Sequence, residues 1–203
     1  MGGFHVDERL LSKQIIVFDI GGVLLRWDPA HLSQVLLPDD TRDRLMPVMF
    51  DPGWEWSRFD RGTEPNEVIA REIATRAGVP EAEAHVLRFL LSFHEHLPPL
   101  PLSKCIAPLR AMGKKVYLLT NYPQPSFDLA YARFPFLRET DGFVCSASEK
   151  IAKPDAAIFR LIAERFGFDP ADAIFIDDSA PNIAAAAAQG FDVWHYQTPP
   201  CEE

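Results

Sequence analysis

Cysteine is scarce in this chain. The three present, Cys105, Cys145 and Cys201, form no Cys-x-x-Cys pair, which argues against a disulfide framework or a thiolate zinc cluster. No apolar run approaches the roughly 20 residues a helix needs to cross a bilayer. Excess positive charge is missing too. The formal net charge of −9 excludes the basic footprint expected of a protein that binds nucleic acid or an anionic membrane surface. The first residues, "MGGFHVDERLLSKQ", contain no apolar h-region, and Val6 breaks the myristoylation pattern; the expectation is a cytoplasmic protein in a reducing compartment. Neither G-x-S-x-G, a P-loop nor G-x-G-x-x-G occurs, so three common nucleophile and nucleotide motifs drop out. His94 and His96 are two apart, a spacing that splays the rings on a helix and does not make a zinc pair.

What is present is a globular composition. With 203 residues, 47% of them hydrophobic, the chain is long enough for one core with a modest insertion. Four short apolar runs read as strands: "QIIVF" at 14–18, "KVYLLT" at 115–120, "GFVCS" at 142–146 and "AIFID" at 173–177, with "FDVWHY" at 191–196 a weaker fifth. They are nearly continuous rather than alternating, as strands covered on both faces are. Helical stretches separate the later ones. "PDAAIFRLIAERFG" at 154–167 and "PNIAAAAAQG" at 181–190 each open near proline and close on glycine. The alternation predicts an α/β fold, a Rossmann-like doubly wound parallel sheet of about five strands. Residues 28–100 contain no convincing strand but several amphipathic patterns, among them "PAHLSQVLL", "PNEVIAREIATRAG" and "EAEAHVLRFLLSFHEHL". The expected organisation is therefore a core of residues 1–27 and 101–203 with a helical cap inserted at 28–100.

In open α/β sheets, ligands bind beyond the carboxyl ends of the strands. Those ends carry Asp19, then Thr120 and Asn121, then Asp177 and Asp178, while Lys153 sits in "KIAKPD" just before a helix. The set is chemically coherent for phosphoryl transfer. Asp19 is the candidate nucleophile. Lys153, the Thr120 hydroxyl and backbone amides near Gly21, Gly22 and Asn121 are candidates to hold the phosphoryl oxygens. Clustered carboxylates need a cation among them, and oxygen-only ligands suit Mg²⁺. The paired carboxylates Asp177 and Asp178 belong to that cluster. The expected partner is a small phosphorylated molecule, with no nucleic acid and no membrane.

Four segments in order, "VFDIGGVL", "LLTN", "KIAKPD" and "FIDDSAPN", resemble the motifs of the haloacid dehalogenase (HAD) superfamily along nearly the whole chain. The resemblance implies a Rossmann-like core, a cap after the first motif, Mg²⁺ and usually phosphatase activity. It implies catalytic roles for Asp19, Thr120 and Lys153, and a metal site of Asp19, Asp177, Asp178 and the backbone carbonyl of Gly21. "FDIGGVL" and "FDRGTEPNEV" resemble the branch containing bacterial α-glucose-1-phosphate phosphatase, which implies a sugar phosphate substrate.

The chain departs from the superfamily at position 21. Most HAD phosphatases have a second aspartate there as general acid and base; here it is glycine. Asp28, His31 or water are the candidate substitutes. Without a built-in acid, esters with acidic leaving groups, such as aldose 1-phosphates, should be favoured. Two other functions fit a missing acid: a metal-independent 2-haloacid dehalogenase using Asp19 to displace halide, and a non-catalytic binding protein. The aromatic and basic stretch "GWEWSRFDRG" at 53–62 is expected to pack the cap and, on a sharper reading, to overhang the site.

Overall fold

The computed structural model describes residues 6–50, 56–197 and 199. Trp54 and Cys201 lie outside these residues, as does the very start of the chain. Five parallel strands form one sheet: β1 (Ile15–Phe18), β2 (Lys115–Thr120), β3 (Gly142–Cys145), β4 (Ala173–Asp177) and β5 (Asp192–His195), in the order β3-β2-β1-β4-β5. The chain runs outward from β1 through β2 to β3, then returns to place β4 on the other side of β1. That reversal leaves a crevice at the carboxyl end of β1, the usual ligand position in such sheets.

The continuous apolar strand sequences are explained by burial on both faces. Ile16 and Phe18 of β1 enter one hydrophobic cluster, while Val17 enters another. In β4, Ile174 and Ile176 face the first and Phe175 the second. The second cluster lies beneath the helix Ala156–Phe166, whose Ile158, Phe159 and Ile162 are buried. This helix starts on Asp155, whose side chain accepts from the Ala157 N–H, and ends on Gly167 in the left-handed conformation. Both ends follow the capping rules that the sequence displays. The helix Ala180–Ala188 follows β4, with Ser179 at its N-cap position. There the Ser179 side chain makes no capping bond, and its backbone N–H instead donates to Asp177.

Between β1 and β2 the chain is helical: Pro29–Leu36, Asp39–Met49, Trp56–Asp60, Asn66–Arg76 and Glu83–Ser92. Their apolar faces, including Leu32, Leu45, Phe59, Ile73 and Phe89, belong to the same cluster as Ile16 and Phe18. The inserted helices and one face of the sheet therefore share a continuous apolar contact. Two hydrogen bonds pin the Trp56–Asp60 end to the sheet side: Ser146 Oγ donates to the Asp60 carbonyl (2.6 Å) and Lys150 Nζ to the Gly62 carbonyl (2.7 Å). Among the described residues, no helix is long and apolar enough to cross a membrane.

Candidate active site

Strand register sets the first part of the site. Phe18 is level with Leu118 and Ile176, and the Asp19 N–H donates to the Ile176 carbonyl (2.9 Å). Asp19 and Asp177 therefore emerge side by side from adjacent strands. Lys153 reaches between them: its Nζ is 2.9 Å from Asp19 Oδ1 and 2.7 Å from Asp177 Oδ2. All three are buried, with Lys153 only 4% exposed and Asp177 completely enclosed. A buried ammonium is costly unless paired. Burial by itself would lower the Lys153 pKa, but Asp177 and Asp19 together outweigh it and raise it.

The two acids differ in their surroundings. Asp177 accepts from Ser179 N–H (2.8 Å), from Asn182 Nδ2 at both oxygens (3.1 Å each) and from Lys153. These bonds engage both of its oxygens. Asp19 has fewer partners; burial pushes its carboxyl up to about 7, Lys153 opposes that, and Asp177 and Asp178 add to it. Carboxylate oxygens of Asp19, Asp177 and Asp178 lie within 4.8 Å of one another. Three carboxyl groups face one ammonium in a small volume, a donor set that suits a divalent cation with oxygen ligands.

The two glycines differ as well. Gly22 has φ +71°, and a Cβ there would lie 2.0 Å from Asp178 Oδ2. Glycine at 22 therefore supplies both the left-handed turn and the room that Asp178 occupies. Its N–H, counted above among phosphate donors, donates to the Leu25 carbonyl (2.8 Å). Gly21 has no such constraint: the nearest atom to an added Cβ is Trp27 Cβ at 3.9 Å.

At the end of β2, the Thr120 hydroxyl is buried without a hydrogen-bond partner among the described residues. A buried orphan hydroxyl at a strand end suits a bound anion as its missing acceptor. The Asn121 side chain is committed elsewhere. It accepts from the Lys153 N–H (2.9 Å) and donates to the Lys153 carbonyl (3.0 Å), so it fixes the lysine backbone.

A cavity of about 370 Å³ opens on this cluster. Asp19, Gly21, Asn121, Asp178, Ser179 and Asn182 contribute to its lining, together with the aromatic residues Trp27, Trp56, Phe59, Phe93 and Tyr122 and the acid Asp60. Part of the 53–62 stretch thus borders the cavity, through Trp56, Phe59 and Asp60. Arg58 is engaged instead with Glu64 and Glu72. Asp28 and His31 line a different cavity, and the Asp28 side chain caps its own helix through the His31 N–H. The structure gives neither of them a place beside Asp19. Asp60 is the residue that sequence reasoning passed over. The available signal was a single acid between a buried phenylalanine and Arg-Gly in the aromatic stretch.

A family model for haloacid dehalogenase-like hydrolases matches residues 13–190. The sesquiterpene phosphatase astK of Aspergillus oryzae is 29% identical over 174 residues, covering 86% of this chain and 85% of its own length. Among solved structures, a HAD family enzyme from Bacteroides thetaiotaomicron, in complex with magnesium and inorganic phosphate, matches with a TM-score of 0.71 at 20% identity; the match covers 94% of this chain and 97% of that one. L-2-haloacid dehalogenase from Xanthobacter autotrophicus, with chloropropionic acid covalently bound, matches with a TM-score of 0.67 at 20% identity over 89% of this chain and 76% of that one. The structural likenesses establish a shared fold.

Proposed function

The chain belongs to the haloacid dehalogenase-like hydrolases, and from that premise we propose that it is a Mg²⁺-dependent phosphatase of small phosphomonoesters, working through a phospho-Asp19 intermediate. The observation that carries this reading is the buried Asp19–Lys153–Asp177 cluster, with Asp178 beside it and the unpartnered Thr120 hydroxyl at the neighbouring strand end. Asp19 attacks phosphorus, and the ester oxygen leaves with the bonding pair. Lys153 and Thr120 bind the phosphoryl oxygens, while Asn121 and Asp177 orient Lys153. Water then cleaves the acyl phosphate and restores the Asp19 carboxylate. Asp19, Asp178, Asp177 and the Gly21 carbonyl would hold Mg²⁺, which when bound neutralises phosphate charge and orients the ester. Residues 28–100 serve as the cap, and residues 1–27 and 101–203 as the core.

The resemblance of the first motif supports sugar phosphates, with C1-phosphates favoured. The cavity supports a second reading of the alcohol half. Its aromatic walls offer a polyol few hydrogen-bond partners and an apolar alcohol a large contact area. The A. oryzae relative is by name a sesquiterpene phosphatase, which agrees with the second reading.

The test is a panel of p-nitrophenyl phosphate, glucose 1-phosphate, glucose 6-phosphate and a prenyl monophosphate, each with Mg²⁺ and with EDTA. Turnover that requires Mg²⁺ is expected, with the lowest KM for the prenyl ester if the aromatic wall selects the substrate. Absence of turnover across the panel overturns the phosphatase reading. So does halide release from a 2-haloacid that survives EDTA.

A further inference from the structure

We propose that Asp60 supplies the proton that position 21 does not: its carboxyl is the general acid for the departing ester oxygen and then the base for the attacking water. The proposal rests on the phosphatase reading and adds to it a residue that none of the four sequence motifs contains.

The argument begins with placement. Asp60 ends the helix Trp56–Asp60 and is 9% exposed. What remains accessible borders the cavity that also exposes Asp19, Gly21 and Asp178. Its backbone is held there. The Asp60 carbonyl accepts from Ser146 Oγ (2.6 Å), and the Ser146 Oγ in turn accepts from the N–H of Tyr122 (3.0 Å), two residues past Thr120. Lys150 ties down Gly62, and Phe59 is sunk in the core. The carboxyl itself accepts no hydrogen bond and forms no ion pair among the described residues. A buried carboxyl of this kind, on a residue lining the same cavity as Asp19 and used by nothing else in the described fold, is unusual, because buried charge is normally paired.

The charged groups that act on it come from three directions. Lys153 precedes the helix Ala156–Phe166, Asp19 follows β1, and Arg61 is its own neighbour. Burial pushes the Asp60 carboxyl up to about 7; Lys153 lowers it, Asp19 raises it and Arg61 lowers it. An acid poised there carries a proton near neutral pH and can release it, as a general acid must. Tyr122 also borders the cavity, but burial pushes its phenol further up, away from neutrality.

The steps balance. As the Asp19 oxygen–phosphorus bond forms, the phosphorus–ester oxygen bond breaks, and the Asp60 proton passes to that oxygen to give the alcohol. Water then adds to phosphorus and gives a proton back to Asp60, while the bond to Asp19 breaks and phosphate is released. The sum is ester plus water giving alcohol plus phosphate. Gly21 alone implies a steep dependence on leaving-group acidity; an acid at Asp60 flattens it.

The experiment measures kcat/KM for wild type, Asp60→Asn and Asp60→Glu on p-nitrophenyl phosphate and on a series of alkyl phosphates, with saturating Mg²⁺. Wild type should show a shallow dependence on leaving-group acidity. Asp60→Asn should lose about 10²–10⁴-fold on alkyl phosphates and much less on p-nitrophenyl phosphate, whose leaving group needs no proton. With the latter it should also show a burst as phospho-Asp19 accumulates, since the base has gone. Asp60→Glu should retain part of the alkyl phosphate activity. Gly21→Asp in the Asp60→Asn background should restore activity, since a Cβ at position 21 makes only ordinary contact, 3.9 Å from Trp27 Cβ. Equal losses on both ester types, or none, overturn the role of Asp60 and leave the phosphatase reading intact. Failure of wild type to hydrolyse any ester overturns both.

Discussion

Gly22 carries two constraints at once, and they separate experimentally. Its left-handed φ makes any L-residue cost about 1–2 kcal/mol, and an added methyl would meet the Asp178 carboxylate. Gly22→Ala should therefore fold with a modestly lower Tm and lose about 10–100-fold in Mg²⁺ affinity, the range seen when the support of a ligand is disturbed; titration calorimetry reads this directly. Asp19→Asn should keep the fold and abolish turnover, since an amide is a poor nucleophile, and more than trace activity would refute the covalent route. The candidate roles of Asp19, Lys153 and Asp178 were legible because each stands in a short motif at a strand or helix edge. Asp60 was not. What distinguishes it is burial in a cavity shared with Asp19, a residue 41 positions earlier in the sequence, and no local pattern encodes that proximity.

At the scale of elements, the end of the Trp56–Asp60 helix depends on one hydroxyl. Ser146→Ala leaves the Asp60 carbonyl and the Tyr122 N–H without their partner. Unpaired buried backbone groups cost about 1–3 kcal/mol, or roughly 2–4 °C in Tm per kcal/mol for a chain of this size. The same variant should lose more kcat/KM on alkyl phosphates than on p-nitrophenyl phosphate, because it loosens Asp60 without touching Asp19. The strands were legible because burial on both faces leaves a run of apolar side chains that only a short covered strand explains. The helix Asp39–Met49 was harder to see: its charged sequence contains Pro47, which reads as a breaker. Its buried Thr41, Leu45 and Met49 recur every four residues, so tertiary packing overrides the local penalty.

For the whole molecule, the buried acids tie stability to pH. Burial pushes the Asp60 carboxyl up to about 7 in the folded chain, against about 3.9 in an unfolded one. Folding therefore takes up a proton between these values. The stabilisation linked to that proton is present at low pH and is lost as pH rises through about 7. In EDTA, Asp60→Asn should reduce the fall in Tm between pH 5 and pH 8 relative to wild type. Adding Mg²⁺ at about a hundred times its Kd should contribute about 2.7 kcal/mol and raise Tm accordingly. The open space at Gly21 has a further, historical consequence. A glycine codon and an aspartate codon can differ by one nucleotide, and a Cβ at position 21 meets nothing closer than Trp27 Cβ at 3.9 Å. An ancestor with acids at both 21 and 60 would hold a spare, and either could be lost by drift without a silent intermediate. On the proposal for Asp60, the first-motif loop is thus a place where a proton donor could be regained by a single nucleotide change without first losing the one at position 60.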